Sequence, residues 1–271
     1  MVSAEGLRCP VAAEKDIVFG RAGGKDSLLD LFRPAAAQEK LLPAVIFIHG
    51  GGWGGGNKES YHDLAARVAS HGYVCACVSY RLSGEAPFPA AVEDCKCGVR
   101  WLRAHAHAHR ADPDRFAAWG HSAGGHLAAM VALTPGQFEG EGGWAGYSSA
   151  VQCALCFSTP FDLTDTTQGL EGIIRQFVGP AAEDPEKVRA QASPINYVAG
   201  KKTPFILFHG VEDVLLPIGQ SDEFAAALRE AGVLLELVRV PHAGHDLERY
   251  SPDIFANAVR FLDQHLKPGE A

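Results

Sequence analysis

The chain has 271 residues, 47% of them hydrophobic, and its 24 Lys and Arg against 32 Asp and Glu give a net charge of −8. This acidic balance argues against a nucleic-acid-binding protein, which would carry a basic excess. The longest apolar runs, such as residues 41–48, fall well short of the roughly 20 residues that a helix needs to cross a bilayer.

The alternation of apolar runs with amphipathic segments predicts the fold. Two early segments, 17–19 and 28–32, are expected to form an antiparallel entry to a sheet. Apolar runs that suit strands buried on both faces follow at 44–48, 74–80, 116–119, 150–157, 204–209 and 234–240. Helix-like stretches lie at about 63–70, 89–105, 123–133, 222–231 and 252–265. This order predicts an α/β fold with a mostly parallel, doubly wound sheet and helices on both faces.

The organisation of the chain is expected to be simple. No repeat and no proline-rich linker divides it, so residues 1–271 are predicted to form a single domain. The irregular stretch 159–200, with a helix-like piece near 170–177, is the candidate lid insertion. The Gly-rich stretch 134–147 is expected to support the same rim.

The first motif that indicates catalysis is Gly-x-Ser-x-Gly at 120–124, between a predicted strand and a predicted helix. Its glycines permit a strand-to-helix turn too tight for a Cβ, so Ser122 is predicted to project from the sheet edge as a nucleophile. The amide of Ala123, at the start of the helix, is expected to donate to an oxyanion. The motif is common, and by itself it could equally be a chance turn.

A second glycine-rich loop, His-Gly-Gly-Gly-Trp at 49–53, directly follows the strand 44–48. This is where a second set of backbone N–H donors for the oxyanion should lie, and glycines let these amides approach the oxyanion without side chains in the way. A phosphate loop is the alternative, but Asn57, Lys58 and Glu59 follow Gly56 where Gly-Lys-Ser/Thr would be required. Trp53 and His121, beside the two glycine motifs, are predicted to contact the substrate.

A serine nucleophile needs a histidine base and a carboxylate that fixes the tautomer of that histidine. Asp213 follows the buried run 204–209, and His245 lies in the loop after the last strand, which gives the order Ser, Asp, His. Glu212 is the alternative acid and His242 the alternative base. An imidazole acts as a base only when neutral, so activity is expected to rise with pH.

With these motifs the chain resembles the α/β-hydrolase esterase and lipase family, which includes hormone-sensitive-lipase-like esterases. It looks closest to bacterial feruloyl-esterase-like and carbohydrate-acetyl-esterase-like members. The matching stretches are 49–53, 80–82 with 86–94, 120–125, 193–195, 209–217 and 242–245. The resemblance implies the α/β-hydrolase fold and an oxyanion hole made by the amides of Gly51, Gly52 and Ala123. The amino terminus is too short for the helical cap of typical hormone-sensitive-lipase relatives, which leaves the acyl preference open.

The expected protein is therefore a serine esterase that hydrolyses short-chain acyl esters through an acyl-enzyme, with acetylated or feruloylated carbohydrates among the candidate substrates. It is expected to need no cofactor and no metal, because backbone amides stabilise the oxyanion. Its expected partner is a small-molecule ester rather than nucleic acid or a membrane. The alternatives are an arylformamidase-like amide hydrolase and a catalytically dead hydrolase-fold binding protein.

Other residue clusters have a structural interpretation. Seven cysteines are an odd number in a chain too long to need disulfides, and residues 1–10 lack the features of a secretory signal, so a cytoplasmic location is expected. Three cysteine pairs are expected to fill the core rather than bind metal: 75 and 77, 95 and 97, 153 and 156. Arg81 is expected to form structural ion pairs with Glu93 and Asp94. His105, His107 and His109 do not share one helix face, which argues against a zinc site.

Overall fold

The computed structural model describes residues 7–36, 40–165, 169–247, 251–267 and 269. Among these residues, eight strands form one sheet in the order β1-β2-β4-β3-β5-β6-β7-β8. The strands are β1 (Val11–Ala22), β2 (Lys25–Pro34), β3 (Leu42–Ile48), β4 (Val74–Val78), β5 (Ala111–His121), β6 (Cys153–Phe157), β7 (Phe205–Gly210) and β8 (Leu235–Val240). The β1–β2 and β2–β4 pairs are antiparallel, and every other pair in the sheet is parallel. The predicted antiparallel entry and mostly parallel sheet are confirmed.

The helices lie between and after the strands as predicted, with one addition. They are α1 (His62–Ala69), α2 (Ala90–Ala104), α3 (Ala123–Leu133), α4 (Glu171–Val178), α5 (Pro185–Gln191), α6 (Gly219–Glu230) and α7 (Pro252–Leu266), and short 3-10 helices lie at Lys58–Tyr61 and Pro194–Tyr197. Helix α5 was not predicted, although its sequence carries a start signal. The Asp184 side chain accepts a hydrogen bond from the Lys187 amide, and Pro185 occupies the first turn.

Residues of the strands alternate between two apolar layers. Ala44 and Ile46 of β3 pack in the layer that contains α2 and α3, whereas Val45 and Phe47 pack in the layer of α1 and α7. The sheet is thus covered on both faces, which explains why its strands read as continuous apolar runs.

The cysteines fill these layers. All seven are unpaired, and the six in the predicted pairs are buried. Cys153 and Cys156 lie in opposite layers, as their offset of three along a strand predicts. Burial raises the pKa of each of the six buried thiols, so they stay protonated and unreactive.

Two expectations about loops have different outcomes. Segment 159–200 contributes Pro160, Leu170 and Ile173 to a cavity at the carboxyl edge of the parallel strands, although its residues 166–168 lie outside the described part of the chain. Segment 134–147 instead packs against β1 and α2, where the Trp144 indole donates to the carbonyl of Phe19 at 2.7 Å. None of its residues lines that cavity, but Phe138 packs edge-to-face against Tyr197 of segment 159–200 with ring centroids 6.2 Å apart, and the segment's support of the same rim stays a prediction.

None of the helices in the described part of the chain combines the length and apolar content that a membrane crossing needs.

Candidate active site

Ser122 lies in a tight turn between β5 and α3. Its φ of +55° and ψ of −125° are rare for a residue with a side chain and indicate local strain. The turn is held by its amide, which donates to the Phe157 carbonyl at 2.8 Å. A Cβ on Gly120 would overlap the carbonyl of Gly124, and a Cβ on Gly124 would overlap that of Ile48. The glycines of the motif therefore let the turn close, and the turn presents Ser122 at the carboxyl edge of the sheet.

The glycine loop after β3 lies directly against this turn. A Cβ on Gly50 would be 2.8 Å from the carbonyl oxygen of His121, and Gly51 adopts a φ of +112° that favours glycine. The Tyr80 hydroxyl donates to the His49 carbonyl at 2.9 Å, and the two rings stack with centroids 4.2 Å apart. These contacts fix where the loop leaves β3, and hence where its amides lie relative to the serine.

The predicted oxyanion donors meet beside Ser122. Gly52 and Ala123 line one cavity with Ser122, and Gly51 lines a second cavity with the same serine. Ala123 is the first residue of α3, and an amide in the first turn of a helix has no acceptor within that helix. The positive end of the helix dipole thus points to the same place as the glycine loop.

Asp213 and His245 form a hydrogen-bonded pair. His245 Nδ1 donates to Asp213 Oδ2 at 2.8 Å, while Asp213 Oδ1 accepts from the amides of Leu215 and Leu216 at 3.0 and 2.9 Å. Burial alone would raise the pKa of Asp213, but hydrogen bonds from His209, His245 and the Leu216 amide outweigh it and lower that pKa well below its usual range. The carboxylate is therefore ionised, and because it only accepts, it places the proton on Nδ1 and leaves Nε2 as the basic atom.

His245 Nε2 can act as the base only if His245 lies near Ser122, and the two residues do share the lining of cavities. His245 and Ser122 line both cavities at this edge of the sheet. The structure therefore brings together all three residues that the sequence predicts for catalysis.

The alternative acid and base lie elsewhere. Glu212 Oε1 and His242 Nδ1 are 3.0 Å apart, and their side chains are 61% and 91% exposed. They pair with each other at the surface, and neither is in the lining of the two cavities that contain Ser122. This placement favours Asp213 and His245 over both alternatives.

Two further histidines brace the pair. His209, whose side chain is fully buried, lies with Nε2 3.4 Å from Asp213 Oδ2 and 2.8 Å from the Leu216 carbonyl. His121 Nε2 donates to the His245 carbonyl at 2.8 Å. His121 lines the second cavity, as a substrate contact would, and also holds the loop that carries the base. The role of His209 was missed, although it lies in the 209–217 stretch that carries Asp213.

The two cavities beside Ser122 differ in character. The first, called the apolar cavity below, is the more compact and is lined by Trp53, Pro160, Leu170, Ile173, Leu215 and Leu216 together with Gly52, Ser122, Ala123 and His245. The second, called the wider cavity, is larger and more open, and its lining includes the polar residues Ser60, Tyr61, His121 and Asp246. Trp53 is thus a pocket wall, as predicted.

The groups that could resemble a metal site have other partners. Asp30, Glu59 and His62 are close enough together to hold an ion, but Lys58 Nζ lies 2.9 Å from Asp30 and 2.7 Å from Glu59. The ammonium group supplies the positive charge there and ties the end of the glycine loop to β2. His105 and His109 pack against the Trp101 ring. The expected ion pairs of Arg81 with Glu93 and Asp94 are present, at 3.1 and 2.8 Å.

Known esterases are similar to this chain in sequence and in structure. The family model BD-FAE matches residues 29–228. Esterase LipQ of Mycobacterium tuberculosis is 33% identical over 242 residues, which cover 86% of this chain and 57% of LipQ. Thermogutta terrifontis esterase Est2 with bound propionate superposes with a TM-score of 0.81 at 28% identity and covers 94% of this chain and 96% of that one. The same esterase is known phosphonylated by sarin.

A truncated carbohydrate esterase from gut microbiota superposes with a TM-score of 0.86 over 98% of this chain and 99% of that one, and at 22% identity this likeness shows the fold alone. Together with the sheet order, these superpositions confirm the predicted α/β-hydrolase fold. The chain spans about half the length of most of the curated relatives it matches, 57% for LipQ and 46% for a probable isoprenylcysteine alpha-carbonyl methylesterase of Arabidopsis thaliana.

Proposed function

The chain belongs to the BD-FAE family, and from that premise we propose that it is a serine carboxylic ester hydrolase that works through an acyl-enzyme. The observation that carries the proposal is the hydrogen-bonded Asp213–His245 pair, whose histidine lines the same cavity as Ser122, and Ser122 itself lies in a strained turn beside two sets of backbone amides. This arrangement supplies a nucleophile, a base, an acid that orients the base, and an oxyanion site.

In the first half of the reaction, Ser122 Oγ attacks the carbonyl carbon of the ester while His245 Nε2 takes the hydroxyl proton. The carbonyl oxygen becomes an oxyanion and accepts hydrogen bonds from the amides of Gly51, Gly52 and Ala123. The tetrahedral intermediate then breaks its bond to the alcohol oxygen, which receives the proton from His245 as the alcohol leaves.

The same residues then hydrolyse the acyl-enzyme, with water in place of the alcohol. A water molecule attacks the acyl carbon, gives a proton to His245 Nε2, and forms a second oxyanion at the same amides. When this intermediate collapses, the carboxylic acid leaves and His245 returns the proton to Ser122 Oγ. The ionised Asp213 stabilises the imidazolium that forms in each half.

The ester that we propose as substrate carries a short acyl group. The apolar cavity is compact and lined by bulky side chains, and segment 159–200, which we assign as its lid, carries Asp162, Asp165, Glu171 and Arg175 among its apolar residues. A long lipid chain would need a larger continuous apolar groove. Phe157 of β6 and Phe161 and Phe177 of the segment do not line the cavity, whereas the aliphatic Leu170 does.

The test of this proposal is a substrate panel. Purified protein is assayed with 4-nitrophenyl esters from two to sixteen carbons, with acetylated and feruloylated sugars, and with an aryl formamide. The proposal predicts ester turnover with the highest kcat/KM at short acyl lengths and no effect of a chelator. A maximum at about ten carbons or beyond would contradict the short-acyl assignment, and turnover of the formamide alone would move the assignment to amide hydrolysis. A cytoplasmic location and a single-domain organisation stay predictions.

A further inference from the structure

One wall of the apolar cavity is an indole held on three sides. Trp53 is 1% exposed, and its ring stacks on Phe177 of α4 with centroids 4.3 Å apart and planes at 14°. Its Nε1 donates to Nδ1 of His126 in α3 at 3.1 Å. Trp53 directly follows Gly52 in the chain with a backbone φ of +56°, so the indole extends from the glycine loop itself. A side chain restrained in this way cannot turn aside for a longer ligand.

His126 is the piece that fixes the indole to the rest of the fold. Its ring is fully buried, and Nε2 lies 2.6 Å from the carbonyl of Ala192, between α5 and the following 3-10 helix. A carbonyl only accepts, so Nε2 carries the proton, and Nδ1 is then free to accept from Trp53. Burial lowers the pKa of His126 to about 4, which keeps this tautomer neutral near pH 7. One imidazole thus ties the glycine loop, the nucleophile helix and the lid segment together.

We propose that Trp53 sets the length limit for the acyl group and that His126 is the residue that positions this wall. The inference rests on the proposed ester hydrolysis and adds the substrate class: an ester with a small apolar acyl group and a larger or more polar alcohol. The acyl group occupies the apolar cavity between Trp53, Leu170, Ile173 and Leu216, and the alcohol occupies the wider cavity.

The order of the two half-reactions explains which cavity holds the acyl group and which holds the alcohol. The alcohol leaves and water enters while the acyl group stays bound to Ser122, so the departing group needs the more open side. The wider cavity is more open and carries His121 and Asp246, which suit hydroxyl groups. The apolar cavity has no Asp, Glu, Lys or Arg in its lining and retains an apolar group by burial.

The experiment compares two ester series on wild type and on Trp53→Ala. One series lengthens the acyl group on a fixed 4-nitrophenol, and the other lengthens the alcohol of an acetate. In Trp53→Ala the acyl optimum should move to longer chains, with the octanoyl-to-acetyl ratio of kcat/KM rising about tenfold for every two methylene groups newly buried. The alcohol series should keep its wild-type profile. A shift in the alcohol series instead would overturn the assignment of the two cavities.

His126 is tested by a rescue pair. His126→Leu removes both hydrogen bonds and should broaden the acyl profile, whereas His126→Gln can still accept from the indole and donate to Ala192 and should restore the wild-type profile. Phe161→Leu is the control, because Phe161 is a buried aromatic residue of segment 159–200 that does not line the apolar cavity. It should leave the octanoyl-to-acetyl ratio unchanged even if it lowers stability.

The outcomes separate this inference from the proposed function. If wild type hydrolyses no ester in either series, the proposed function fails. If wild type is active and the acyl ratio of Trp53→Ala and of His126→Leu equals that of wild type, only the wall assignment fails. Should Trp53→Ala not fold, Trp53→Leu replaces it, with a smaller shift in the same direction expected and an unchanged ratio counting against the wall.

Discussion

Replacing Asp213 by Asn tests the arrangement of the site with almost no change in shape. The carboxylate receives donors on both oxygens: two amides on Oδ1, and His245 with His209 on Oδ2. An Asn has one oxygen, and it will face the two amides, which cannot move. Its NH₂ group then faces His245 Nδ1, so the imidazole must carry its proton on Nε2 instead, and the basic atom is lost.

The expected cost follows from this tautomer change. When an Asp of this kind is changed to Asn in a serine hydrolase, turnover falls by about 10⁴-fold. At 1.36 kcal/mol per tenfold, the transition state loses about 5 kcal/mol of stabilisation. The variant also places the NH₂ group against the N–H of the buried His209, which should lower the free energy of unfolding by about 1–3 kcal/mol.

The pH dependence of stability gives a second readout. Because its hydrogen bonds hold the pKa of Asp213 below the ordinary value, the ionised carboxylate stabilises the fold fully above about pH 4, and this contribution is lost as pH falls towards the folded value. The difference in unfolding free energy between wild type and Asp213→Asn should therefore be largest near neutral pH and should shrink in acid.

The assay is kcat/KM on 4-nitrophenyl acetate at pH 7 to 9, with urea unfolding of the same preparations. Glu212→Gln is the matched control, since it makes the same chemical change one residue away at an exposed surface pair worth at most about 1 kcal/mol. Its turnover should stay within about twofold of wild type. An Asp213→Asn protein that keeps more than about a tenth of wild-type activity, or a Glu212→Gln protein that loses it, would refute the reasoning.

Three further predictions concern the turn, the buried imidazole and metal ions. Gly124→Ala should cost at least about 1–3 kcal/mol of stability and most activity, because its Cβ would overlap the Ile48 carbonyl, whereas Gly219→Ala, with open space around it, should be neutral; equal unfolding midpoints for the two would be contrary evidence. Since burial lowers the pKa of His126 to about 4 from an ordinary 6.5, the free energy of unfolding should fall by about 3 kcal/mol as pH drops from 6.5 to 4. This fall should be absent in His126→Gln, and a pH dependence of stability identical in wild type and variant would rule the prediction out. Dialysis against a chelator should leave kcat/KM unchanged, because the oxyanion is bound by backbone amides, and inactivation that zinc reverses would contradict that view.

The sheet and the position of the motifs could be predicted from sequence because their signals are local. Buried strands such as β3 and β7 are continuous apolar runs, and each motif follows a strand directly, so the carboxyl edge of a parallel sheet must gather them. The glycines at 120 and 124 carry the same information, since only a backbone conformation or close approach that excludes a Cβ requires them.

How the walls of the site are held in place could not be predicted, because this depends on contacts between distant residues. Trp53 and His126 are 73 residues apart in sequence, and the hydrogen bond between them follows from how the sheet brings α3 to the glycine loop. Leu215 and Leu216 lie next to Asp213, but only the path of their loop turns them into the cavity. The position of segment 134–147 likewise depends on distant partners, because the Glu139 carboxylate pairs with Lys96 and Arg100 of α2.

The most direct test of a serine-dependent ester hydrolase is the site of covalent labelling. The protein is incubated with a serine-directed organophosphate, and the mass of the intact chain and of its peptides is measured alongside the remaining esterase activity. The mechanism predicts one label per chain, located on Ser122, with activity lost in proportion to labelling, and neither label nor turnover in Ser122→Ala. A label on another residue, or a folded Ser122→Ala protein that keeps more than about a tenth of wild-type kcat, where losses of about 10⁴-fold are usual for such a change, would contradict the mechanism.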